Sequence, residues 1–166
     1  LNCKAKLFKQ CKVGIVNADD KHTQDILRGA ICKVESYGIG DNADIKAENI
    51  ELLHEPGKIG LTYDCTGLVN MKVELNLPGK FSVYNSLCAI AITRHFDVDE
   101  EALKETLKHV RVKGRIELVK VSDDFTLMID YAHNAMALES ILTTLKEYHP
   151  HRLVCLFGCL LYTSPS

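Results

Sequence analysis

The chain has 166 residues, 46% apolar and 25% charged, a balance that supports a buried core in one domain or parts of two. Its net charge of -2 lacks the basic excess of a nucleic-acid partner, and no apolar run reaches the roughly 18–20 residues that span a bilayer. Seven cysteines, none in a C-x-x-C pair and several inside apolar runs such as Val154-Cys155-Leu156, read as free thiols of a reducing compartment, which points to the cytoplasm.

The chain begins at Leu1, and residues 1–8 read as the middle of a helix, basic at Lys4 and Lys6. A strand is expected at 13–16, a short helix at 23–30 and strands at 32–36 and 50–53. Ile59, Leu61, Tyr63 and Cys65 alternate with polar neighbours, as do Met71, Val73, Leu75 and Leu77, which predicts a hairpin across 66–70 ended by Pro78-Gly79. Residues 83–95 form a helix dense enough in apolar residues to be buried on most sides. The next helix, 100–110, has Asp97 or Asp99 as cap, Glu100 and Glu101 in its first turn, and Lys108 and His109 in its last, in accord with the helix dipole. Beyond Lys113-Gly114 the pattern changes. Strands at 116–121 and 126–129, a helix carrying Leu138, Ile141, Leu142, Leu145 and Tyr148, and a continuous apolar strand at 153–157 predict a βαβ unit with a parallel pair.

Several residues have both a chemical and a plain reading. Asp130 lies at the carboxyl end of its strand, where open α/β sheets bind ligands, and could accept from ribose hydroxyls; equally, Asp130 or Asn134 could simply cap the following helix. His133 is structural or part of the same site. Arg115, at the domain junction, is a surface residue or a bidentate phosphate clamp. Asn85, in the first turn of its helix, caps it or hydrogen-bonds locally, or reads a base edge with its donor and acceptor. Gly38-Ile39-Gly40-Asp41-Asn42-Ala43 matches G-x-G-x-x-A but lacks the following helix, so a turn between strands is expected. The chain contains no G-x-x-x-x-G-K-[ST], H-E-x-x-H or G-x-S-x-G.

Six stretches occur together and in order: Cys3-Lys4-Ala5-Lys6-Leu7-Phe8, Asn17-Ala18-Asp19-Asp20, Gly79-Lys80-Phe81-Ser82-Val83-Tyr84-Asn85, Gly114-Arg115-Ile116-Glu117, Asp130-Tyr131-Ala132-His133 and Phe157-Gly158-Cys159. With them the chain resembles the Mur ligases of peptidoglycan synthesis, most of all the branch that adds the third residue of the stem peptide. The resemblance covers nearly all of residues 1–159. It implies an α/β fold. Residues 1–113 would be the C-terminal half of the central ATPase domain, a mixed sheet with helices. Residues 114–159 would be the first βαβ part of a Rossmann-like C-terminal ligase domain, and 160–166 a non-native tail.

The same resemblance implies an ADP-forming acid–amino-acid ligase that uses ATP and Mg²⁺. It would join an amino acid, meso-diaminopimelate ahead of L-lysine, to the UDP-N-acetylmuramoyl-dipeptide through an acyl phosphate. Lys4 matches the family's carbamylated lysine, whose carbamate oxygens suit Mg²⁺. Asn85 matches the adenine-contacting asparagine, Arg115 and Asp130 the ATP-contacting arginine and aspartate, with Asp130 at the ribose, and His133 the same nucleotide-side motif. A monomer is expected, without nucleic acid or membrane as partner. The family's phosphate loop, metal-binding acid and histidine, and UDP-sugar site belong before Leu1, so the chain is expected to be a fragment, inactive alone. Ala135 replaces the proline usual after the histidine. The competing readings are a ligase like folylpolyglutamate synthetase, against which Asn17-Ala18-Asp19-Asp20 argues, and a non-catalytic nucleotide-binding α/β module.

Overall fold

The computed structural model describes residues 2–55, 58–119 and 121–158. Helix α1 (Asn2–Leu7) leads into strand β1 (Val13–Asn17), followed by α2 (Thr23–Leu27), β2 (Lys33–Gly38), β3 (Ile45–Glu55), β4 (Lys58–Gly67) and β5 (Met71–Leu75). Helices α3 (Lys80–Thr93) and α4 (Glu100–His109) come next, then β6 (Glu117–Val119), β7 (Leu127–Ile129) and α5 (Ala135–Lys146). The first five strands form one mixed sheet in sequence order, as the α/β expectation required. Strands β1 and β2 run parallel, β2 and β3 pair in parallel over two residues, and β3, β4 and β5 are antiparallel. No helix among the described residues is long and apolar enough to cross a membrane.

The β4–β5 hairpin forms in the expected register, with Cys65 opposite Met71 and Leu61 opposite Leu75. Alternation buries Leu61, Tyr63 and Cys65 together with Met71, Val73 and Leu75, and α3 closes this face with Val83, Leu87, Ile90 and Ala91. A hydrogen bond of 2.7 Å between the hydroxyls of Tyr63 and Ser86 satisfies both inside the core. Strand β3 is longer than the expected 50–53. It carries a register shift between Glu48 and Glu51, where Asn49 takes a φ of 51° and its amide donates to Asp64 at 2.8 Å.

Two expectations need correction, the place of Asn85 in its helix and the βαβ unit. Helix α3 begins at Lys80, so Asn85 stands in the second turn rather than the first, and capping is not its role. The helix is buried on most sides, as its composition predicts: Ser82, Val83, Ser86, Leu87, Ile90 and Ala91 are buried, and within 83–93 exposure is confined to Asn85 and Ile92. The parallel βαβ pair does not form. Strands β6 and β7 are antiparallel over three residue pairs, and residues 153–157 adopt no strand, with Leu156 and Phe157 exposed. A continuous apolar strand is stable where both faces are covered, and the short two-stranded β6–β7 sheet supplies neither face. The expectations for Cys159 and for residues 160–166 lie outside the described residues.

Helix α4 starts as predicted, with the Asp99 carboxylate accepting from Ala102 N–H at 2.9 Å. Helix α5 is capped by Asn134, whose side chain accepts from Ala137 N–H at 2.9 Å. The C-terminal end of this helix packs on the first sheet. The Tyr148 hydroxyl, buried, donates to the Gly60 carbonyl at 2.7 Å, and its ring meets His54 edge-on. Thr144 lies against Gly79, where an added Cβ would come within 2.8 Å of its methyl group.

Candidate functional site

The turn from Gly114 to Ile116 is built from unusual backbone. Gly114 has a φ of 71°, and Ile116, β-branched and buried, has a φ of 48°, a conformation such residues rarely adopt. Two carboxylates hold it there. Glu117 accepts from Gly114 N–H at 2.8 Å, and Asp130 accepts from Ile116 N–H at 2.9 Å. The other oxygen of Asp130 accepts from Ala132 N–H at 2.8 Å. Asp130 is therefore not the helix cap; Asn134 takes that position, and Asp130 ties the start of β6 to the end of β7. Each carboxylate oxygen keeps a second lone pair, and the residue is exposed, so hydroxyl donors can still reach it.

Arg115 projects from this strained turn. Its guanidinium carbon lies 5.3 Å above the centre of the Tyr131 ring, and the His133 ring meets Tyr131 with centroids 4.9 Å apart. His133 Nδ1 is 3.0 Å from the Tyr131 carbonyl. A carbonyl only accepts, so Nδ1 carries the proton and a neutral ring presents Nε2 as an acceptor. The structure thus gathers Arg115, Asp130 and His133 at one exposed junction and adds Tyr131, which the sequence reading left without a role. The period of extended chain places residues 131 and 133 on one side, and that signal could have found the stack.

Asn85 is exposed on α3, one helical turn beyond Phe81. A cleft of about 520 Å³ separates α3 from α5, lined by Lys80, Phe81 and Tyr84 on one wall and Met136, Glu139 and Ser140 on the other. Met136 lies in the first turn of α5, close in sequence to Asp130, so the cleft runs between the helix that carries Asn85 and the one that follows the Arg115 cluster. Lys4 is separate. It is exposed on α1, which packs on α2, and joins no ion pair among the described residues. No group of three potential metal ligands gathers among the described residues, so a Lys4 carbamate would need oxygen ligands beyond them.

The Gly38–Gly40 turn binds an aspartate rather than a nucleotide. The Asp19 carboxylate accepts from Ile39 N–H at 2.7 Å and Gly40 N–H at 3.2 Å, and from the Tyr84 hydroxyl at 2.9 Å. Partial burial pushes this carboxyl up, but those bonds together outweigh it and hold it below its ordinary value. The turn expected between two strands forms here, between β2 and β3, and its backbone N–H groups are taken by the chain's own carboxylate.

A mixed five-stranded sheet packed by helices, joined to a strand–helix junction bearing an exposed arginine, aspartate and histidine, defines an α/β protein with a candidate ligand site at that junction. The chain belongs to the Mur ligase family: the model of the Mur ligase middle domain matches residues 1–93, and that of the Mur ligase glutamate ligase domain matches residues 114–165. It is 36% identical over 156 residues to a UDP-N-acetylmuramoyl-L-alanyl-D-glutamate–2,6-diaminopimelate ligase of Caldanaerobacter subterraneus subsp. tengcongensis, covering 93% of this chain and 32% of the relative. It is 33% identical over 159 residues to ligase 2 of the same name from Clostridium acetobutylicum, covering 95% and 32%. A solved structure of a ligase of that name superposes with a TM-score of 0.68 at 28% identity, over 87% of this chain and 31% of that one. The chain spans about a third of the length of these relatives.

Proposed function

We propose that the protein to which this chain contributes is an ATP-dependent amide-forming ligase. It joins an amino acid, meso-diaminopimelate ahead of L-lysine, to UDP-N-acetylmuramoyl-L-alanyl-D-glutamate through an acyl phosphate. Residues 1–113 are read as the second half of its ATPase domain and 114–159 as the start of its ligase domain, and it acts as a cytoplasmic monomer without nucleic acid or membrane as partner. The observation that carries this reading is the convergence of Arg115, Asp130 and His133, three residues singled out by resemblance for ATP, at one strand–helix junction.

The residues present fit ATP in chemistry. Arg115 offers a guanidinium that is held over an aromatic ring without being neutralised by it, suited to a phosphate. Asp130 keeps acceptor capacity for ribose hydroxyls, and Asn85 carries the donor and acceptor a base edge requires. Lys4, accessible on α1, would contribute carbamate oxygens to Mg²⁺, which when bound neutralises charge on the phosphates. Catalysis would then be positioning and charge neutralisation.

Asp130→Asn tests the assignment in the full-length enzyme. The KM for ATP should rise by an order of magnitude, roughly the loss of one charge-assisted hydrogen bond, while the KM for the UDP-linked substrate stays constant. An equal rise in both would reject the ribose role.

A further inference from the structure

Three segments far apart in sequence meet at Asp19. Strand β1 ends two residues before it, the Gly38–Gly40 turn donates two backbone N–H groups to it, and the Tyr84 hydroxyl reaches it from α3 at 2.9 Å. The fit is close. A Cβ built at Gly38 or Gly40 would lie 2.9 or 2.6 Å from a carboxylate oxygen of Asp19. On the core side, the Ser86 hydroxyl bonds Tyr63 at 2.7 Å. Residues 84 and 86 are thus anchored to different parts of the sheet, one through an exposed carboxylate and one in the core. Residue 85 lies between them. Two anchors on one helical turn leave little freedom to rotate about the helix axis, and rotation is what would swing Asn85 away from a ligand. The tyrosine proton is firmly retained: burial and the Asp19 carboxylate push the Tyr84 hydroxyl up to about 12, so it stays a donor across the physiological range.

We propose that the Tyr84–Asp19 pair, seated in the Gly38–Gly40 turn, is a positioning device that sets the rotation of α3 and so aims the Asn85 amide at the edge of a purine base. The inference rests on the reading of Asn85 as the base-contacting residue and extends it to Asp19, Tyr84 and the two glycines, whose role would otherwise be a turn alone. Neither Tyr84 nor Asp19 touches the nucleotide in this scheme. Both act through Asn85.

The test uses the full-length enzyme and compares ATP with purine riboside triphosphate, which lacks the exocyclic amine that an asparagine carbonyl would accept from. The parent enzyme should favour ATP in kcat/KM, and Asn85→Ala should abolish that preference. Tyr84→Phe should reduce it on the order of 3- to 10-fold, the scale of one misaligned hydrogen bond, with kcat at saturation and the KM for the UDP-linked substrate unchanged. Gly40→Ala, which displaces the Asp19 carboxylate without altering Tyr84, should do the same. Combined with Asn85→Ala, either variant should add nothing, because the device acts only through that residue. A parent-like ATP preference in both Tyr84→Phe and Gly40→Ala would overturn the positioning role while leaving Asn85 in place. A full preference retained in Asn85→Ala would overturn the base-contact reading itself, and the proposal with it.

Discussion

Arg115 is held by a ring, not by an acid. Among the described residues it joins no ion pair, and its guanidinium rests 5.3 Å over Tyr131. A carboxylate partner would orient the group but cancel its charge; an aromatic face orients it and leaves the charge for a ligand. Tyr131→Ala should therefore raise the KM for ATP of the full-length enzyme about two- to fivefold, the equivalent of 0.5–1 kcal/mol for an exposed cation–π contact. The melting temperature should move little, because Tyr131 is 47% exposed and outside the core. An unchanged KM would show that the stack is incidental. The motifs singled out Arg115, Asp130 and His133 as candidates. Tyr131 was not assigned, because a stacking role is visible only once residues 115 and 131, sixteen apart, are brought together by the β6–β7 pairing.

At the scale of elements, the most demanding contact joins β2 to the end of α3. Glu35 is 2% exposed, with Lys33, Arg94 and His95 within 2.9, 2.6 and 2.9 Å. Burial pushes its carboxyl up, and the bonds from Lys33, Arg94 and His95 outweigh that and bring it down to about 2 from an ordinary 4.5. A carboxyl whose folded value lies below its unfolded one stabilises the fold above the unfolded value and loses that contribution as pH falls towards the folded one. Acidification from 4.5 towards 2 should thus weaken the parent chain steeply. Arg94→Ala, which leaves the buried carboxylate short of one charge-assisted bond, should cost about 2 kcal/mol at neutral pH and flatten that acid dependence. Urea unfolding across this range measures both. Lys33 is a near neighbour, but nothing in the sequence around Glu35 announced the cluster, since Arg94 and His95 come from the end of α3 some sixty residues away. The helices were easier to read: Asp99 and Asn134 cap as their positions suggested, because capping is local.

For the whole molecule, the question is how the segment after Gly114 is held to the sheet before it. Helix α5 answers it at its C-terminal end, where Tyr148 donates to Gly60 and Thr144 packs on Gly79, whose φ of 88° and crowded surroundings exclude a side chain. Tyr148→Phe keeps the ring against His54 and removes one buried hydrogen bond, so about 1 kcal/mol should be lost. Hydrogen exchange should quicken in α5 while β3, β4 and β5 keep their protection; uniform quickening throughout the chain would show that the contact belongs to the core instead. Local patterning by itself determined the β4–β5 hairpin, the starts of α4 and α5, the class of the fold and the residues proposed for ATP. Each of these depends on periodicity, on a neighbour a few positions away or on a short motif. Only the tertiary structure decided that Asp19 fills the glycine turn, that Glu35 is buried among Lys33, Arg94 and His95, that residues 153–157 form no strand, and that α5 rests on the first sheet. Those outcomes depend on which surfaces come into contact, and a period of two or of 3.6 residues specifies a face without specifying what will cover it.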